Sequence, residues 1–501
     1  MKNYINKLIN WQKSTEKQTD FKFVKKLIKN FPDAEVYLVG GAIRDILINK
    51  ETKDFDFIVR NVDATDLEAY LSKEGEVSLV GKSFGVFKFV PKGLKGKIEP
   101  FDIALPRTEK AGMSGGYRDF EIQSDKDLKI EDDLSRRDFT INALAWDMIS
   151  QNLIDEFDGL KDLENKTIRA IGNPNKRFQE DYTRMMRAIR FSAQLGFKIE
   201  DKTSKVIKSK SQEIISIPSE RINEEFTKII MSDNGEESIR QMQSVGLIKA
   251  LIPELEAGVG IAQNKNHIYE VFDHNVRALG VAIKKGYRLE LRLAALFHDI
   301  AKPHTKEGEG VDATFYNHDA EGSKMSKKIL RRLNYSNQVI KEVAHLVRYH
   351  MFYYSLDIVS DAGVRRLLNR LGKENIDDFI NLRICDRLGM GRPKAKPWKL
   401  IQLERRFKEV QLDPITPKML KITGHDLIDD LKLSPGPKIG LILNALLGEV
   451  LEDPKHNTKK HLKDRAVELN KLGDKDLKKM HPDIAFYEEE QKRLVHRKSG
   501  K

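Results

Sequence analysis

Cysteine is nearly absent: Cys385 is the one instance in 501 residues. A disulfide framework and a cysteine-ligated zinc knuckle are both excluded. Also missing is any apolar run long enough to span a bilayer, and no apolar core follows the opening Met-Lys-Asn. The expectation is a soluble, cytoplasmic chain without a secretory leader or membrane span. Charge is plentiful. Lys and Arg number 88 against 76 Asp and Glu, a formal charge of +12. That excess suits a polyanionic partner, and it serves solubility almost as well. At this length several domains are expected, each large enough for its own core. Composition does not speak to oligomeric state.

The stretch around which the chain is organised is LVGGAIRDILINKETKDFDF, Leu38 to Phe57. Val36 to Val39 reads as a short buried strand that stops at Gly40-Gly41, and a helix pattern from Ala42 to Ile48 follows directly. Paired glycines let the backbone approach a ligand closely. The free N–H groups of a helix start favour a phosphate, and Arg44 is placed to add a charge-assisted hydrogen bond. Asp54 to Val59 then alternates like a half-buried strand. Asp54 and Asp56 share one face, roughly 6.6 Å apart along it. Carboxylates so close repel unless cations lie between them. Two divalent ions about 4 Å apart, clamping an in-line phosphoryl displacement, are the chemistry that uses such a pair.

Taken in order, residues 1–30 read as a Lys-rich helical extension with Ile5, Leu8, Ile9, Phe23, Val24 and Leu27 apolar. Strand signals recur at 36–39, 54–59, Phe84 to Val90 and Ile98 to Ile103. Asp102 ends the last of these, as a third metal-facing carboxylate or as a capped strand end. Arg107 to Lys129 is rich in Gly, Ser and charge and reads as a mobile loop. Beyond Asn173 helical patterns dominate. The fold class expected is α+β, a mixed-sheet head followed by a long all-α body.

Two further stretches carry chemistry. In Arg136-Arg137-Asp138-Phe139, the arginines suit a triphosphate and Asp138 a ribose hydroxyl; a capped helix start with surface arginines is the plainer reading. In EDYTRMMRAIRF, 180–191, helical spacing predicts Asp181, Arg184 and Ala188 on one face with Arg187 adjacent. A bare Asp–Arg pair at that spacing is usually a surface salt bridge of little worth. Turned toward a base, Asp181 accepts from the exocyclic amine shared by cytosine and adenine. Arg184 then donates to the ring nitrogen beside it. Guanine and uracil reverse these groups and would leave them unpaired.

Leu38 to Phe57, RRDFTINA (136–143), DGLKDL (158–163), EDYTRMMRAIRF (180–191) and SERINEEF (219–226) occur in an order that resembles bacterial-type class II CCA-adding tRNA nucleotidyltransferases. These are relatives of bacterial poly(A) polymerases in the polymerase-β-like superfamily. The resemblance covers roughly residues 30–240 with all five motifs. It implies template-independent addition or repair of the tRNA 3′ CCA end from CTP and ATP. It assigns Mg²⁺ to Asp54 and Asp56, phosphate or ribose contact to Gly40, Gly41, Arg44 and Arg137, and base reading to Asp181 and Arg184. Arg187 and Arg190 support the nucleotide. The family's flexible loop matches Arg107 to Lys129, and relatives that add only cytidines lack it. An A-adding enzyme or poly(A) polymerase is the alternative; an HD phosphohydrolase with an inactive RNA-binding head is the more distant one.

The body carries a second set: His274, His298-Asp299, His318, His350 and Asp386. Imidazole and carboxylate ligands suit a borderline divalent metal. The ordered set resembles the HD phosphohydrolase superfamily. That resemblance implies one metal at His274, His298, Asp299 and Asp386, a second completed by His318 and His350, and Ni²⁺, Mn²⁺ or a similar ion. Many class II CCA-adding enzymes carry such a domain, whereas the poly(A) polymerases usually do not. His267, His304 and His345 have no slot. Pro435-Gly436-Pro437 before a helix reads as a phosphate contact or a helix–helix turn, and the Lys-rich end, 455–501, as a solvated helix and tail. The domain organisation expected is an extension (1–30), a head (31–172), a neck (173–240), an HD domain (241–397) and a helical tRNA-binding tail (398–501).

Overall fold

The computed structural model describes residues 2–16, 21–79, 86–111, 120–263, 268–352 and 359–482. Phe84, His267 and the end of the Lys-rich tail lie outside the described residues. The chain divides into two compact units. One comprises Met1–Glu256 with Arg332–Asn334, the other Ala257–Arg331 with Tyr335–Lys501.

The first unit opens with two helices, α1 (Lys2–Glu16) and α2 (Lys22–Asn30). Strand β1 (Glu35–Val39) ends at Gly40, whose φ of +76° only glycine adopts cheaply, and α3 (Gly41–Leu47) begins at the next residue. The chain continues through β2 (Asp56–Arg60), α4 (Ala64–Glu74), β3 (Gly75–Leu79), β4 (Val86–Pro91) and β5 (Phe101–Ala104). A hairpin of β6 (Arg107–Ala111) and β7 (Phe120–Ser124) precedes α5 (Ile130–Ser135), β8 (Ala145–Asp147) and β9 (Leu153–Ile154). Seven strands form one mixed sheet in the order β3-β4-β5-β2-β1-β8-β9. Only the β2–β5 pair within it is parallel.

Alternation along β1 and β2 fixes what each sheet face does. Tyr37, Val39 and Ile58 pack with Ile130, Leu134 and Ala143 on one face. Phe57 turns to the other, where its ring meets Phe23 at 5.6 Å and Phe101 at 5.9 Å. Asp56 shares parity with Ile58 and therefore comes up at the end of the first face. The stretch expected as a mobile loop is instead a paired hairpin at both ends, in register from Arg107↔Ser124 to Ala111↔Phe120. The loop-forming composition belongs to residues 112–119, which lie outside the described residues.

After the sheet come α6 (Gly159–Glu164), α7 (Pro174–Glu180) and α8 (Thr183–Leu195), and then helix Ser219–Met231. Among its described residues the second unit is helical apart from one short two-strand pairing, Lys306–Glu307 with Thr314–Phe315. Its apolar core is continuous from Leu367, Phe379 and Ile384 through Phe407 to Leu446 and Val450, so one core spans both sides of residue 397. No helix among the described residues is long and apolar enough to cross a membrane.

Candidate active site

Strand register assembles the first site. Asp56 stands opposite Val39 on β1 and opposite Asp102 on the parallel neighbour β5, while Lys88 on β4 faces Asp102. Asp54 is exposed and precedes the strand proper. Burial raises Asp56; Arg137 opposes it, and Asp54 and Asp102 add to it, leaving the carboxyl at about 6. Asp102 Oδ1 is buried with no hydrogen-bond partner, although Lys88 Nζ stands 3.3 Å away. Three carboxylates crowded this way, one with an orphaned oxygen, fit a divalent cation. The cleft beside them holds about 240 Å³ and is lined by Asp56, Asp102, Arg107, Arg136 and Arg137. A larger hollow of about 520 Å³ in the same unit is lined by Asp63, Glu68, Asp125 and Asp127 with one lysine, Lys126. Its acidic wall does not suit a triphosphate.

The glycine turn and the arginines close on the same cleft. A Cβ built on Gly40 would lie 2.7 Å from Arg137 Nη1 and 3.4 Å from Asp56 Oδ2. On Gly41 it would lie 3.3 Å from Arg44 Nη2. Asp133, fully buried, holds both neighbouring arginines: Arg136 Nη2 donates to it at 2.7 Å and Arg137 Nη2 at 3.5 Å. Arg137 Nε is buried with no hydrogen-bond partner. Arg44 is buried and donates to Asn142 Oδ1 at 2.6 Å and Asp45 at 2.8 Å.

Asp138 is not presented bare. Arg187 Nε donates to its Oδ2 at 2.7 Å, while the Phe139 N–H and Asn142 Nδ2 donate to its Oδ1 at 2.8 and 3.0 Å. Burial opposes its charge, but Arg187 and Asn142 outweigh that and pull it down to about 2. Asp138 in turn raises Arg187 above its ordinary value, against the effect of burial.

The single helical face expected for Asp181 and Arg184 does not form. Asp181 sits in an extended conformation between α7 and α8, where its Oδ1 accepts from the Thr183 N–H at 2.9 Å. An Asp that bonds the backbone two residues on competes with helix continuation, which is why the periodicity breaks there. Its Oδ2 accepts from Arg221 Nη2 at 3.0 Å. Arg184 is buried and donates to Glu180 at 2.7 Å and to the carbonyls of Arg177 and Arg136 at 3.0 Å. Arg190 pairs with Glu225 at 2.6 Å. Arg221 and Glu225 had no sequence-assigned role, though their i,i+4 spacing within SERINEEF was the available signal. Lys88, Asp133 and Asn142 were missed as well.

A second constellation lies wholly in the helical unit. His274 comes from helix Val271–Lys284, His298 and Asp299 from just after Leu289–Phe297. His318 opens His318–Arg332, His350 follows Asn337–Tyr349, and Asp386 belongs to Ile376–Gly389. All six side chains are buried. His274 Nε2 lies 2.9 Å from His298 Nε2, 3.2 Å from Asp299 Oδ2 and 3.3 Å from Asp386 Oδ1. Asp299 Oδ1 lies 3.3 Å from His318 Nε2 and 3.5 Å from His350 Nε2, so Asp299 belongs to two clusters, one with His274 and His298 and the other with His318 and His350. His298, His318 and His350 each set Nδ1 against the carbonyl three residues earlier, at 2.8, 2.6 and 2.7 Å. That contact directs Nε2 inward as a ligand. Asp299 Oδ1, His318 Nε2 and His350 Nε2 are buried with no hydrogen-bond partner. Burial opposes a proton on His298, but Asp299 and Asp386 hold it up to about 10. Nitrogen and oxygen donors converging in this way fit a divalent metal, which would take the place of the His298 proton. His345 Nε2 instead lies 2.8 Å from the Leu371 carbonyl, away from this set.

The chain is similar to known proteins along most of its length. The Poly A polymerase head domain matches residues 36–169, the "Probable RNA and SrmB- binding site of polymerase A" residues 196–258, and tRNA nucleotidyltransferase domain 2 residues 316–466. The multifunctional CCA protein of Neisseria gonorrhoeae is 32% identical over 373 residues, covering 73% of this chain and 86% of that protein. The A-adding tRNA nucleotidyltransferase of Deinococcus radiodurans is 29% identical over 437 residues, 82% and 92% of the two chains. The crystal structure of the Bacillus stearothermophilus CCA-adding enzyme in complex with CTP superposes with a TM-score of 0.62 at 22% identity, over 89% of this chain and 95% of that one. The last likeness establishes the fold. The chain belongs to the tRNA nucleotidyltransferase family that includes the multifunctional CCA proteins.

Proposed function

We infer that the protein is a template-independent tRNA nucleotidyltransferase that adds or repairs the 3′-terminal CCA using CTP and ATP. The observation that carries this reading is the register of Asp56 against Asp102, beside a Gly40–Arg137 wall built for an anion. Asp54, Asp56 and Asp102 would hold Mg²⁺, which when bound neutralises triphosphate charge and activates the attacking oxygen. The tRNA 3′-hydroxyl attacks the α-phosphorus and pyrophosphate leaves. Arg137 and Arg44 orient the phosphates, the backbone at Gly40 and Gly41 lets them come close, and Asp138 fixes Arg187 beneath the nucleotide. Base selection falls to Asp181 and Arg184. Both are already partnered in the free protein, so a correct base must displace Arg221 from Asp181 and loosen Arg184 from Glu180. A base offering the wrong donors cannot repay those lost bonds.

A second reading is an A-adding enzyme, favoured by the similarity to the Deinococcus radiodurans protein along most of both chains. Purified protein given tRNA ending before CCA, with each labelled nucleotide alone and together, separates the two. CTP incorporation followed by ATP supports CCA addition, and ATP alone on tRNA ending in CC supports A addition. We further propose that the His274, His298, Asp299, His318, His350 and Asp386 cluster is a metal-dependent phosphohydrolase centre holding Ni²⁺, Mn²⁺ or a similar ion. It would act on 2′,3′-cyclic phosphates or terminal phosphomonoesters. Such ends lack the free 3′-hydroxyl that addition needs. The positively charged chain, with its helical tail, is suited to the tRNA body.

A further inference from the structure

The metal-binding strand has a second face, occupied by the N-terminal extension. Phe55 lies between Asp54 and Asp56, and its ring points away from them. Trp11 of α1 stacks on it with centroids 5.9 Å apart and planes at 30°. Phe21 meets Phe55 edge-on at 5.2 Å and Trp11 at 5.7 Å. Phe21 also stacks at 5.3 Å on Phe101, the residue before Asp102. The backbone repeats the connection: the Asp102 N–H donates to the Phe55 carbonyl at 3.1 Å. One aromatic cluster therefore touches the chain neighbours of all three carboxylates.

Trp11 is itself fixed. The next residue, Gln12, is buried, donates to the Met148 carbonyl at 2.9 Å and accepts from Trp146 Nε1 at 2.8 Å. Lys7 Nζ donates to the Leu47 carbonyl at 2.9 Å, tying α1 to the end of α3. A solvated, dispensable helix does not spend a buried glutamine on both ends of its amide. The extension also lies outside the matched head, which starts at residue 36.

We propose that Trp11 is a positioning residue for nucleotidyl transfer, holding Phe55 so that Asp54, Asp56 and Asp102 keep one metal-binding geometry. The proposal rests on the reading of these carboxylates as metal ligands. Asp54 depends on it most, because it precedes the strand and lacks the ladder pairing that begins at Asp56. Aromatic pairs prefer offset or edge-on contacts, so shortening the indole lets Phe55 rock and carries the flanking carboxylates with it.

The test compares Trp11→Ala, Trp11→Phe and Asp54→Asn in the full-length protein. It reads kcat, nucleotide KM and melting temperature, with Mn²⁺ binding to the free protein measured by electron paramagnetic resonance in a His298→Ala, Asp299→Ala background, so that the His cluster of the helical unit does not contribute. Misplaced groups cost rate steeply, so Trp11→Ala should lower kcat about tenfold or more. Mn²⁺ affinity should fall about three- to tenfold on the same ground, with KM for CTP and ATP within about twofold of the unaltered protein. Trp11→Phe should restore both. Should Trp11→Ala not accumulate folded, Phe55→Leu removes the same stack from the strand side and carries the same expectation. Unaltered kcat and Mn²⁺ affinity in Trp11→Ala, even with a lower melting temperature, would overturn the proposal and leave α1 a structural cover. An active Asp54→Asn would instead overturn the metal reading beneath it.

Discussion

Replacing Asp138 by Asn should unlock the arginine side of the nucleotide cleft, and the size of the effect follows from its contacts. Asp138 takes Arg187 on one oxygen and the Phe139 N–H with the Asn142 amide on the other. An asparagine offers one oxygen and one NH₂. Whichever way it turns, either Arg187 or the Phe139 and Asn142 donors meet a donor. A carboxyl moved from its ordinary 3.8 to about 2 supplies about 2 kcal/mol to the folded state. Breaking a buried ion pair costs about 3–5 kcal/mol, and the lower end applies because the Arg187 side chain is 35% exposed. A loss of about 2–3 kcal/mol from the first unit is expected near neutral pH. Trp11 and Trp146 lie in that unit and Trp398 in the other, so urea unfolding followed by tryptophan fluorescence in a Trp398→Phe background reports on it. The pH signature is specific. A depressed carboxyl stabilises above its unfolded value and ceases to as pH falls through its folded value. The unaltered protein should therefore lose this increment between about pH 4 and 2, and Asp138→Asn should have none to lose. Nucleotide KM should rise about tenfold as Arg187 loses its anchor. Unchanged urea midpoints with an unchanged acid limb would refute the reasoning.

Three other expectations follow from the same geometry. Asp181→Ala and Arg184→Ala should each raise misincorporation of UTP and GTP by about tenfold, the worth of one unpaired polar contact, and unaltered selectivity would make the pair a structural link. Because the Asp56 carboxyl is raised to about 6, addition at limiting Mg²⁺ should fall as pH drops through that value, and excess Mg²⁺ should move the midpoint lower. A raised carboxyl loses stability as pH climbs from about 4 to 6, so Mg²⁺ should lift the melting temperature more at pH 7.5 than at pH 5; an equal lift would count against metal at Asp56. His298→Ala with Asp299→Ala should abolish opening of a 2′,3′-cyclic phosphate while addition to an intact 3′-hydroxyl continues; chelation should abolish the opening too, with Ni²⁺, Mn²⁺ or Co²⁺ restoring it better than Mg²⁺.

Much of the head was legible because its signals are local. The β1 run, the Gly40-Gly41 stop and the β2 alternation are short-range patterns, and strand and helix form close to where they are read. Asp102 became a neighbour of Asp56 through parallel pairing across more than forty residues, which alternation within either strand does not encode. Helical spacing misled at Asp181 because a side chain-to-backbone hydrogen bond overrode the period. The composition of Arg107 to Lys129 hid strands whose ends pair despite a Gly- and Ser-rich middle. The six candidate ligands of the body came from an ordered resemblance, and nothing in their spacing revealed that three of the histidines brace Nδ1 on the carbonyl three residues earlier. The N-terminal extension read as a lysine-rich amphipathic helix. Its two helices are real, but the informative residues, Trp11 and Gln12, are defined by partners far along the chain.

Gly40 has a consequence beyond backbone freedom. The space where its side chain would stand is taken by the Arg137 guanidinium, 2.7 Å from that point. Tolerance at position 40 is therefore written partly at position 137. In an Arg137→Ala background, Gly40→Ala meets only the strain of its φ of +76°, whereas with Arg137 present it also expels the guanidinium from beside Asp56. The two substitutions overlap in their damage, and the double variant should be less impaired than the product of the singles. Seen this way, the glycine is the seat of an arginine delivered from a distant segment. The hollow it leaves is shaped from inside the protein before any nucleotide arrives.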